Sequence, residues 1–250
     1  MSRRFIAGLI TGTAITLSIS YSFNNPTSPN LVNYDEPHKY HSPSIKIAKE
    51  AVWTTVEEIE TSLGGTPPIS VGFDIDDTLL FPKTSFHVYY DRYCPKDTEP
   101  FRPSCTNSQD FWDHMNRSGN LSPAKAIGIK LIDMHKRRGD NIFFITAREK
   151  SKNKPETLTN TLQSIFDIPN INKVIYLGLK ALNPEKPGKT AAILEKDIKV
   201  FYGDSDGDIA AARAANIRGI RVLRAPNSQD NSDMPLNGRY GEEVIMGSDV

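Results

Sequence analysis

Short apolar runs alternate with segments of helical periodicity along most of this 250-residue chain, and this alternation restricts its fold more than any other feature. Nearly continuous apolar runs, which are typical of strands buried on both faces, lie at 69–73, 141–145 and 198–202. Further strands are predicted at 173–177 and 219–223, and helices at 124–138, 156–166, 189–196 and 208–215. Repeated strand–helix units of this kind predict a doubly wound, parallel α/β sheet with helices on both faces.

The first 43 residues are expected to lie outside this fold. Arg3 and Arg4 precede an uncharged run of 15 residues, and small residues follow it, which is the order of a secretory signal peptide. We therefore predict a signal peptide over 1–22 and an extended linker over 23–43, where Asn, Pro and Ser are frequent. The alternative is an uncleaved membrane anchor, for which this run is short because a span needs about 20 apolar residues.

Two helix boundaries follow from local signals. Apolar residues recur at helical spacing between Ile45 and Ile59, so the folded domain is predicted to begin with an amphipathic helix that ends before Gly64. Ser122 and Pro123 are predicted to begin the helix 124–138, as its N-cap and first helical residue.

The folded domain, predicted over 44–250, carries one interruption. The stretch 81–121 is rich in aromatic residues and proline, and it is far longer than the roughly 2 to 6 residues that commonly join a strand to a helix. We predict that it forms a small cap over the site. The two cysteines of the chain, Cys94 and Cys105, lie in this stretch; they would form a disulfide in an oxidising compartment and stay reduced in the cytosol.

The composition excludes several classes of protein. Lys and Arg total 30, as do Asp and Glu, so no net charge favours a nucleic acid polymer as partner. A hydrophobic share of 38% with 24% charged residues is ordinary for a globular protein. Disordered, collagen-like and polytopic membrane proteins are therefore excluded.

Polar side chains follow three of the predicted strands at the point where each strand ends. Asp74 and Asp76 follow the first, Thr146 follows the second, and Asp204 and Asp208 follow the strand at 198–202. Because the carboxyl ends of parallel strands meet at one edge of a sheet, these groups are expected to converge. Converging carboxylates repel each other, which predicts a hard cation among them, most simply Mg²⁺. Loop or helix-capping roles are the alternative, and they account for one such acid better than for two clusters.

These residues resemble, in order, the four motifs of the haloacid-dehalogenase-like (HAD-like) phosphohydrolases, namely Asp74-x-Asp76-x-Thr78, Thr146, Lys189 and Gly203-Asp204-x-x-x-Asp208. Longer stretches look like the bacterial class B acid phosphatases: VGFDIDDTLLF, LIDMHKRRGDNIFFITAR, FYGDSDGDIAAAR, the pair Phe111-Trp112 and the late GEEVI. The resemblance runs from about residue 45 to the end of the sequence. It implies a Rossmann-like, HAD-like sheet with a small cap inserted after the first strand.

The resemblance also implies a catalytic role for each motif residue. Asp74 is expected to be the nucleophile that forms an aspartyl-phosphate, and Asp76 the general acid and base. Thr146 and the backbone N–H of Ala147 are expected to bind the phosphoryl oxygens, and Lys189 to neutralise the charge that develops on them.

A metal site is implied by the same resemblance. Mg²⁺ is expected on the carboxylates of Asp74 and Asp204 and on the backbone carbonyl of Asp76. Asp208 is expected to lie just behind them, orienting Lys189 or a metal-bound water.

The substrate side is expected to be aromatic. Phe86 and Trp112, from the cap, match the region that lines the family's site, where flat rings would stack on a base or a phenyl group. Packing inside the cap is the alternative role for both. Arg148 is expected at the exposed mouth of the site, where it could favour a second anionic group.

The function implied is that of an exported, periplasmic, Mg²⁺-dependent acid phosphatase that hydrolyses small phosphomonoesters, nucleotides included, and that can transfer phosphate to alcohols. The resemblance further implies a homotetramer without stable membrane insertion after signal cleavage. The alternative is a non-catalytic surface protein that has kept the fold, since fold does not dictate function. The complete set of motif residues argues against that alternative.

Overall fold

The computed structural model describes residues 44–93, 108–182, 185, 187–228 and 234–250. The predicted signal peptide, the predicted linker and both cysteines lie outside the described residues. Within them, no helix is long and apolar enough to cross a membrane.

The described chain contains strands and helices in alternation. Its strands are β1 (Lys46–Ile47), β2 (Val52–Thr54), β3 (Ser70–Phe73), β4 (Asn141–Thr146), β5 (Ile175–Tyr176), β6 (Ile198–Gly203), β7 (Arg218–Arg221), β8 (Leu236–Asn237) and β9 (Glu243–Ile245). Its helices are α1 (Val56–Ser62), α2 (Lys83–Tyr93), α3 (Gln109–Met115), α4 (Ala126–Arg138), α5 (Leu158–Phe166), α6 (Thr190–Glu195) and α7 (Asp206–Ala214). Short 3₁₀ helices lie at Gly119–Leu121 and Leu179–Leu182.

Seven of these strands form one sheet in the order β2-β9-β7-β6-β3-β4-β5, and all of its neighbouring pairs are parallel. Strand β3 is central, with β4 on one side and β6 on the other. The chain therefore leaves β3 in one direction and later returns to its other side, which confirms the predicted doubly wound sheet. At such a reversal the carboxyl ends of the strands leave a crevice in which ligands bind.

Strand side chains alternate between two cores, one on each face of the sheet. Val71 and Phe73 of β3 pack in the core that includes residues of α1, α4 and α5. Phe143 of β4 and Phe201 of β6 pack in the core that includes residues of α6 and α7. A side chain at position 72 would collide with Phe201, so the Phe201 ring packs directly against the backbone of β3 at Gly72. The period-two alternation of buried residues is what a sheet covered on both faces requires.

The predicted helix between Ile45 and Ile59 is wrong for most of its length. Val52–Thr54 instead forms the edge strand β2, which pairs with β9 near the end of the chain. Helix α1 begins only at Val56, where Thr55 and Glu58 form a reciprocal capping box. Long-range pairing with β9 therefore outweighs the local periodicity, and only the end of the predicted helix, before Gly64, is helical.

The predicted start of α4 at Ser122 and Pro123 is also wrong, since this helix begins at Ala126. The carbonyl of Pro123 accepts a hydrogen bond from Phe81 N, and Lys125 N donates to Leu79 O. These bonds tie the segment before α4 to the loop after β3 and keep it extended. The predicted end holds, because Gly139 adopts a left-handed conformation (φ 75°) as the C-cap.

The predicted cap stretch contains α2 and α3 in its described part. Ser85 of α2 forms a buried hydrogen bond with Ser122 (2.6 Å between the hydroxyl oxygens). Aromatic side chains of the two helices pack together, with Tyr90 stacked on Phe111 at 5.5 Å between ring centroids. The strand β9, which has no counterpart among the predicted elements, lies within the sheet between β2 and β7.

Candidate active site

Three acidic side chains converge at the carboxyl edge of the sheet. Asp74 follows β3, Asp204 follows β6, and Asp208 lies in the first turn of α7. One carboxylate oxygen of each lies within 4.8 Å of the other two, and all three residues are buried. The predicted convergence is therefore observed for Asp74, Asp204 and Asp208.

A buried lysine neutralises part of this cluster. Lys189, at the N-cap of α6, donates from Nζ to Asp74 Oδ1 (2.5 Å) and to Asp208 Oδ1 (2.6 Å). Burial alone would lower the pKa of Lys189, but the carboxylates of Asp208 and Asp74 outweigh it and raise that pKa above its usual value. Lys189 is therefore a fixed positive charge beside Asp74.

The electrostatic environment of Asp74 is unfavourable for its charged form. Burial raises the pKa of the Asp74 carboxyl well above its usual range; Lys189 opposes the rise, and the neighbouring Asp208, Asp204 and Asp76 reinforce it. Lys189 therefore offsets only part of the cost of burying the charged Asp74 carboxylate.

Asp208 is held by the start of its own helix. Ser205 is the N-cap of α7, and Asp208 forms the reciprocal capping box with it: Asp208 Oδ2 accepts from Ser205 N (3.0 Å) and from Ser205 Oγ (2.7 Å). Because the other carboxylate oxygen accepts from Lys189, both oxygens of Asp208 are engaged. Burial alone would raise the pKa of Asp208, but the charge of Lys189 and these hydrogen bonds outweigh it and lower that pKa below its usual value.

Asp204 has two partners to which sequence analysis assigned no role. Arg224 Nε donates to Asp204 Oδ2 (2.6 Å), and Thr78 Oγ1 lies 3.2 Å from Asp204 Oδ1 and 3.1 Å from Asp74 Oδ2. Arg224 follows β7, whose carboxyl end borders that of β6. The sequence held one indication of this role, since Arg224 directly follows the predicted strand at 219–223.

The end of β4 contributes the predicted phosphate-binding loop. Thr146 is the last residue of β4, and its Oγ1 accepts a hydrogen bond from Arg148 N (3.2 Å). Thr146 and Ala147 are both buried. The structure thus places this loop on the strand next to the one that carries Asp74.

Arg148 is not exposed, contrary to the sequence-based expectation. Its side chain is 3% exposed, and its guanidinium grips both oxygens of Asp76: Nη2 lies 2.6 Å from Oδ1 and Nε lies 2.8 Å from Oδ2. The carboxylate of Asp76 compensates the charge of the buried guanidinium, which would otherwise be costly to remove from water. Arg148 therefore lies within the site beside Asp76.

The aromatic residues predicted on the substrate side lie together in the cap. Phe86 and Trp112 meet edge to face at 6.3 Å between ring centroids, and Phe111 packs against both. Trp112 is buried, whereas Phe86 and Tyr90 are half-buried. Of this cluster, the rings on α2 are the more exposed.

Helix α3 is bound to the segment that follows Arg148. Asp113 accepts hydrogen bonds from Lys152 N and Asn153 N, both at 2.8 Å. Asn116 Nδ2, just beyond the end of α3, donates to Glu149 O (2.8 Å). The cap and the predicted phosphate-binding loop are thus held in a fixed relation.

The donor set at Asp74 and Asp204 fits a divalent cation. Carboxylate oxygens are the hard ligands that Mg²⁺ prefers, and these are buried next to one another. Burial, reinforced by the neighbouring carboxylates, raises the pKa of Asp74 although Lys189 opposes the rise, so the charged form of Asp74 is not fully compensated. A bound dication would supply the missing positive charge.

The chain is similar in sequence to a known family over most of its length. Residues 25–232 match the model of a family described as HAD superfamily, subfamily IIIB (acid phosphatase). The chain is 45% identical over 212 residues to a class B acid phosphatase of Salmonella arizonae, covering 82% of this chain and 84% of that protein. It is 38% identical over 257 residues to a class B acid phosphatase of Edwardsiella ictaluri, covering 99% and 98% of the two chains. The range matched by the family model, 25–232, spans the site residues described above.

Proposed function

The chain belongs to the class B acid phosphatases of the HAD superfamily and is a phosphomonoesterase. From this premise we propose that it hydrolyses small phosphate esters by way of a phosphorylated Asp74. The observation that carries the proposal is the position of Asp74, buried between Lys189 and Asp204 and next to the loop that begins at Thr146. A carboxylate held in this way has its attacking oxygen oriented before substrate binds.

In the first step, an oxygen of Asp74 attacks phosphorus and the bond from phosphorus to the ester oxygen breaks. Asp76 gives its proton to that leaving oxygen, so an alcohol departs and Asp76 is left as a carboxylate. Thr146 and the N–H of Ala147 bind the phosphoryl oxygens, and Lys189 offsets their growing charge. Asp208 keeps Lys189 in place, which its two engaged oxygens support.

In the second step, a water attacks the phosphorus of the aspartyl-phosphate. Asp76 takes a proton from that water, and the bond from phosphorus to Asp74 breaks. Inorganic phosphate is released and both aspartates return to their starting states.

HAD phosphatases generally use a divalent metal, and we propose Mg²⁺ held by the carboxylates of Asp74 and Asp204 and the backbone carbonyl of Asp76. When bound, the ion supplies positive charge that screens the nucleophile from the phosphate it must approach. The buried acidic cluster supports this assignment.

We propose that nucleotides are among the substrates and that the phosphoryl group can pass to an alcohol. The aromatic cluster of the cap, with Phe86 half-buried at its edge, supports binding of a flat leaving group. Trp112 is proposed to contribute to the same binding surface from within this cluster. An alcohol that attacks the aspartyl-phosphate in place of water would yield a new ester by the same bond changes.

We propose export to the periplasm and assembly as a homotetramer. The basic start, the apolar run and the small residues that follow it support cleavage of a signal peptide. N-terminal sequencing of the exported protein tests this, and an intact Met1 on membrane-bound material would contradict it. The tetramer rests on the family resemblance, and sedimentation would test it.

The test of the mechanism is Asp74→Asn. Release of phosphate from p-nitrophenyl phosphate in Mg²⁺ is expected to fall by more than about 1,000-fold, because an amide does not attack phosphorus. Thermal unfolding should still show a cooperative transition. The control Asp197→Asn removes an exposed carboxylate and should keep full activity. EDTA should abolish the wild-type activity, and full turnover by Asp74→Asn would refute the assignment of the nucleophile.

A further inference from the structure

A fully buried arginine links the loop after β6 to the segment that leads into β9. Arg221 is the last residue of β7, and its side chain is 0% exposed. Its guanidinium donates from Nη1 to Asp204 O (3.0 Å) and from Nη2 to Asp206 Oδ1 (2.9 Å). Nε and Nη2 also donate to Glu242 Oε1, at 3.0 and 2.8 Å. The catalytic scheme above gives this side chain no role, although a guanidinium is costly to bury.

The bond to Asp204 O acts on the backbone of a proposed metal ligand. Asp204 comes directly after β6, which ends at Gly203. Val222 N donates to Gly203 O (2.9 Å), and Arg221 donates to Asp204 O, so two consecutive residues fix two consecutive carbonyls. Because the direction of a side chain follows from the backbone that bears it, these bonds set where the Asp204 carboxylate points. They do so without using either carboxylate oxygen.

The bond to Asp206 engages a further carboxylate of the same loop. Asp206 lies between Asp204 and Asp208 in the sequence, yet it does not belong to the acidic cluster found among the described residues. Its Oδ1 accepts from Arg221, and its Oδ2 accepts from Arg239 Nη1 (2.7 Å). Both oxygens of Asp206 are therefore committed to arginines, and its charge is compensated outside the cluster.

Glu242 holds Arg221 in turn. The side chain of Glu242 is 3% exposed, and besides Arg221 its Oε1 accepts from Gly238 N (2.8 Å). Its Oε2 accepts from Tyr240 N (2.9 Å). Bonds from the backbone thus fix this carboxylate, which also carries the charge opposite to that of Arg221. A buried guanidinium that is to orient other groups needs such a fixed and charged partner.

A second arginine on β7 shows what joining this strand to β9 requires. Arg218 donates to both oxygens of Glu243, at 2.9 and 2.6 Å, and to Ser62 Oγ at 2.7 Å. The side chains of this pair are 26% and 27% exposed, and Arg218 is the first residue of β7, at the opposite end of the strand from Arg221. Joining the two strands therefore does not by itself explain a fully buried arginine beside Asp204.

We infer that Arg221, anchored by Glu242, is a positioning residue that holds the Asp204 carboxylate ready for a divalent cation. The inference rests on the proposed Mg²⁺ site. Arg221 acts on the ion only through the backbone of Asp204, so it contributes to metal affinity and not to the making or breaking of bonds. Groups that orient a metal ligand in this way contribute about 10- to 100-fold to metal affinity.

Titration calorimetry of the metal-free protein with Mg²⁺ measures this contribution. Arg221→Lys keeps the charge, but a single ammonium cannot hold the three partners of the guanidinium at once, so the Kd for Mg²⁺ should rise about tenfold or more. Arg218→Lys is the matched control on the same strand and should keep the wild-type Kd. The loss of phosphatase activity in Arg221→Lys should shrink as Mg²⁺ is raised, because mass action refills the site.

Glu242→Gln tests the same inference with Arg221 unchanged, and it decides the question if Arg221→Lys does not fold. An uncharged amide weakens the hold on Arg221, so the Kd for Mg²⁺ should again rise. Glu243→Gln, which changes the partner of Arg218, is its control and should match the wild type.

The outcomes separate this inference from the metal site on which it rests. Equal Mg²⁺ affinity in the wild type, Arg221→Lys and Glu242→Gln would overturn the inference and leave the metal site standing. Equal losses of affinity in the controls Arg218→Lys and Glu243→Gln would also overturn it, since the junction of β7 with β9 would then be the cause. A wild-type protein that bound no Mg²⁺ would refute the metal site, and the inference with it.

Discussion

Arg148 and Asp76 form a two-pronged ion pair inside the site, with nitrogen–oxygen distances of 2.6 and 2.8 Å. Asp76 is the proposed general acid and base, and this pair orients its carboxylate form, the form that takes a proton from water in the proposed second step. The planar fork of arginine is suited to this task because it meets both carboxylate oxygens at once.

Arg148→Lys is expected to lower kcat on p-nitrophenyl phosphate by about tenfold or more. A single ammonium cannot hold both oxygens of Asp76, and the loss of one charged hydrogen bond corresponds to about 1.5–3 kcal/mol. Steady-state kinetics in Mg²⁺ would measure the change. Arg117→Lys, at an exposed position, is the matched control and should retain the wild-type kcat. An unchanged kcat in Arg148→Lys would show that this pairing does not orient the acid.

The central strands of the sheet were predictable because each is marked by a short apolar run in the sequence. The runs at 69–73, 141–145 and 198–202 are nearly continuously apolar, as is typical of strands buried on both faces, and each forms a strand within one residue of its predicted ends. The edge strand β2 was not predictable in this way. Its pairing with β9 joins residues about 190 positions apart, and no local pattern encodes such a contact.

The site residues at the ends of strands were predictable from the sequence, whereas the burial of two arginines in the site was not. Asp74, Thr146 and Asp204 each follow or end a strand, so topology alone brings them together. Arg148 and Arg224 read as surface residues in a sequence, because arginine is seldom buried. Both are buried here through pairing with a carboxylate, which only the folded arrangement reveals.

Arg224→Met is expected to destabilise the metal-free protein by about 3–5 kcal/mol, because it leaves the buried carboxylate of Asp204 without its cation. Mg²⁺ should restore part of this loss, since a dication replaces the missing charge. The rise in Tm on adding Mg²⁺ should therefore be larger in Arg224→Met than in the wild type. Differential scanning calorimetry with EDTA and with Mg²⁺ measures both effects.

The control for that experiment is Arg213→Met, which removes an exposed arginine on α7. It should leave both the Tm and its response to Mg²⁺ near the wild-type values. If Arg224→Met matched this control, Arg224 would contribute nothing to holding Asp204.

Asp113→Asn is expected to raise KM for nucleoside monophosphates by about tenfold while changing kcat little. The variant cannot accept hydrogen bonds from Lys152 N and Asn153 N as a carboxylate does, so α3 and the segment after Arg148 lose their fixed relation. Glycerol phosphate, which has no ring to stack, should be affected less. Recovery of the KM in Asp113→Glu would support this positioning role, and equal losses with both substrates would contradict it.

His135 is buried on the inner side of α4, with Nδ1 2.7 Å from Asp140 Oδ2 and Nε2 2.9 Å from Tyr202 Oη. Burial lowers the pKa of His135 below its ordinary value of 6.5, although Asp140 opposes the shift. Its neutral form is therefore the one that the folded protein favours. Tyr202 lies two residues before Asp204, so this network supports the strand that leads into the site.

The lowered pKa of His135 predicts how stability changes with pH. The unfolded chain takes up the proton at about pH 6.5, whereas the folded chain takes it up only at lower pH, so the free energy of unfolding falls as pH drops below about 6.5. His135→Gln stays neutral at every pH and should lose this part of the slope, although it is less stable than the wild type at neutral pH. Thermal unfolding between about pH 7 and pH 5 measures the difference, with the exposed His87→Gln as control. Parallel pH dependences for His135→Gln and the wild type would mean that His135 takes up its proton equally well in both states.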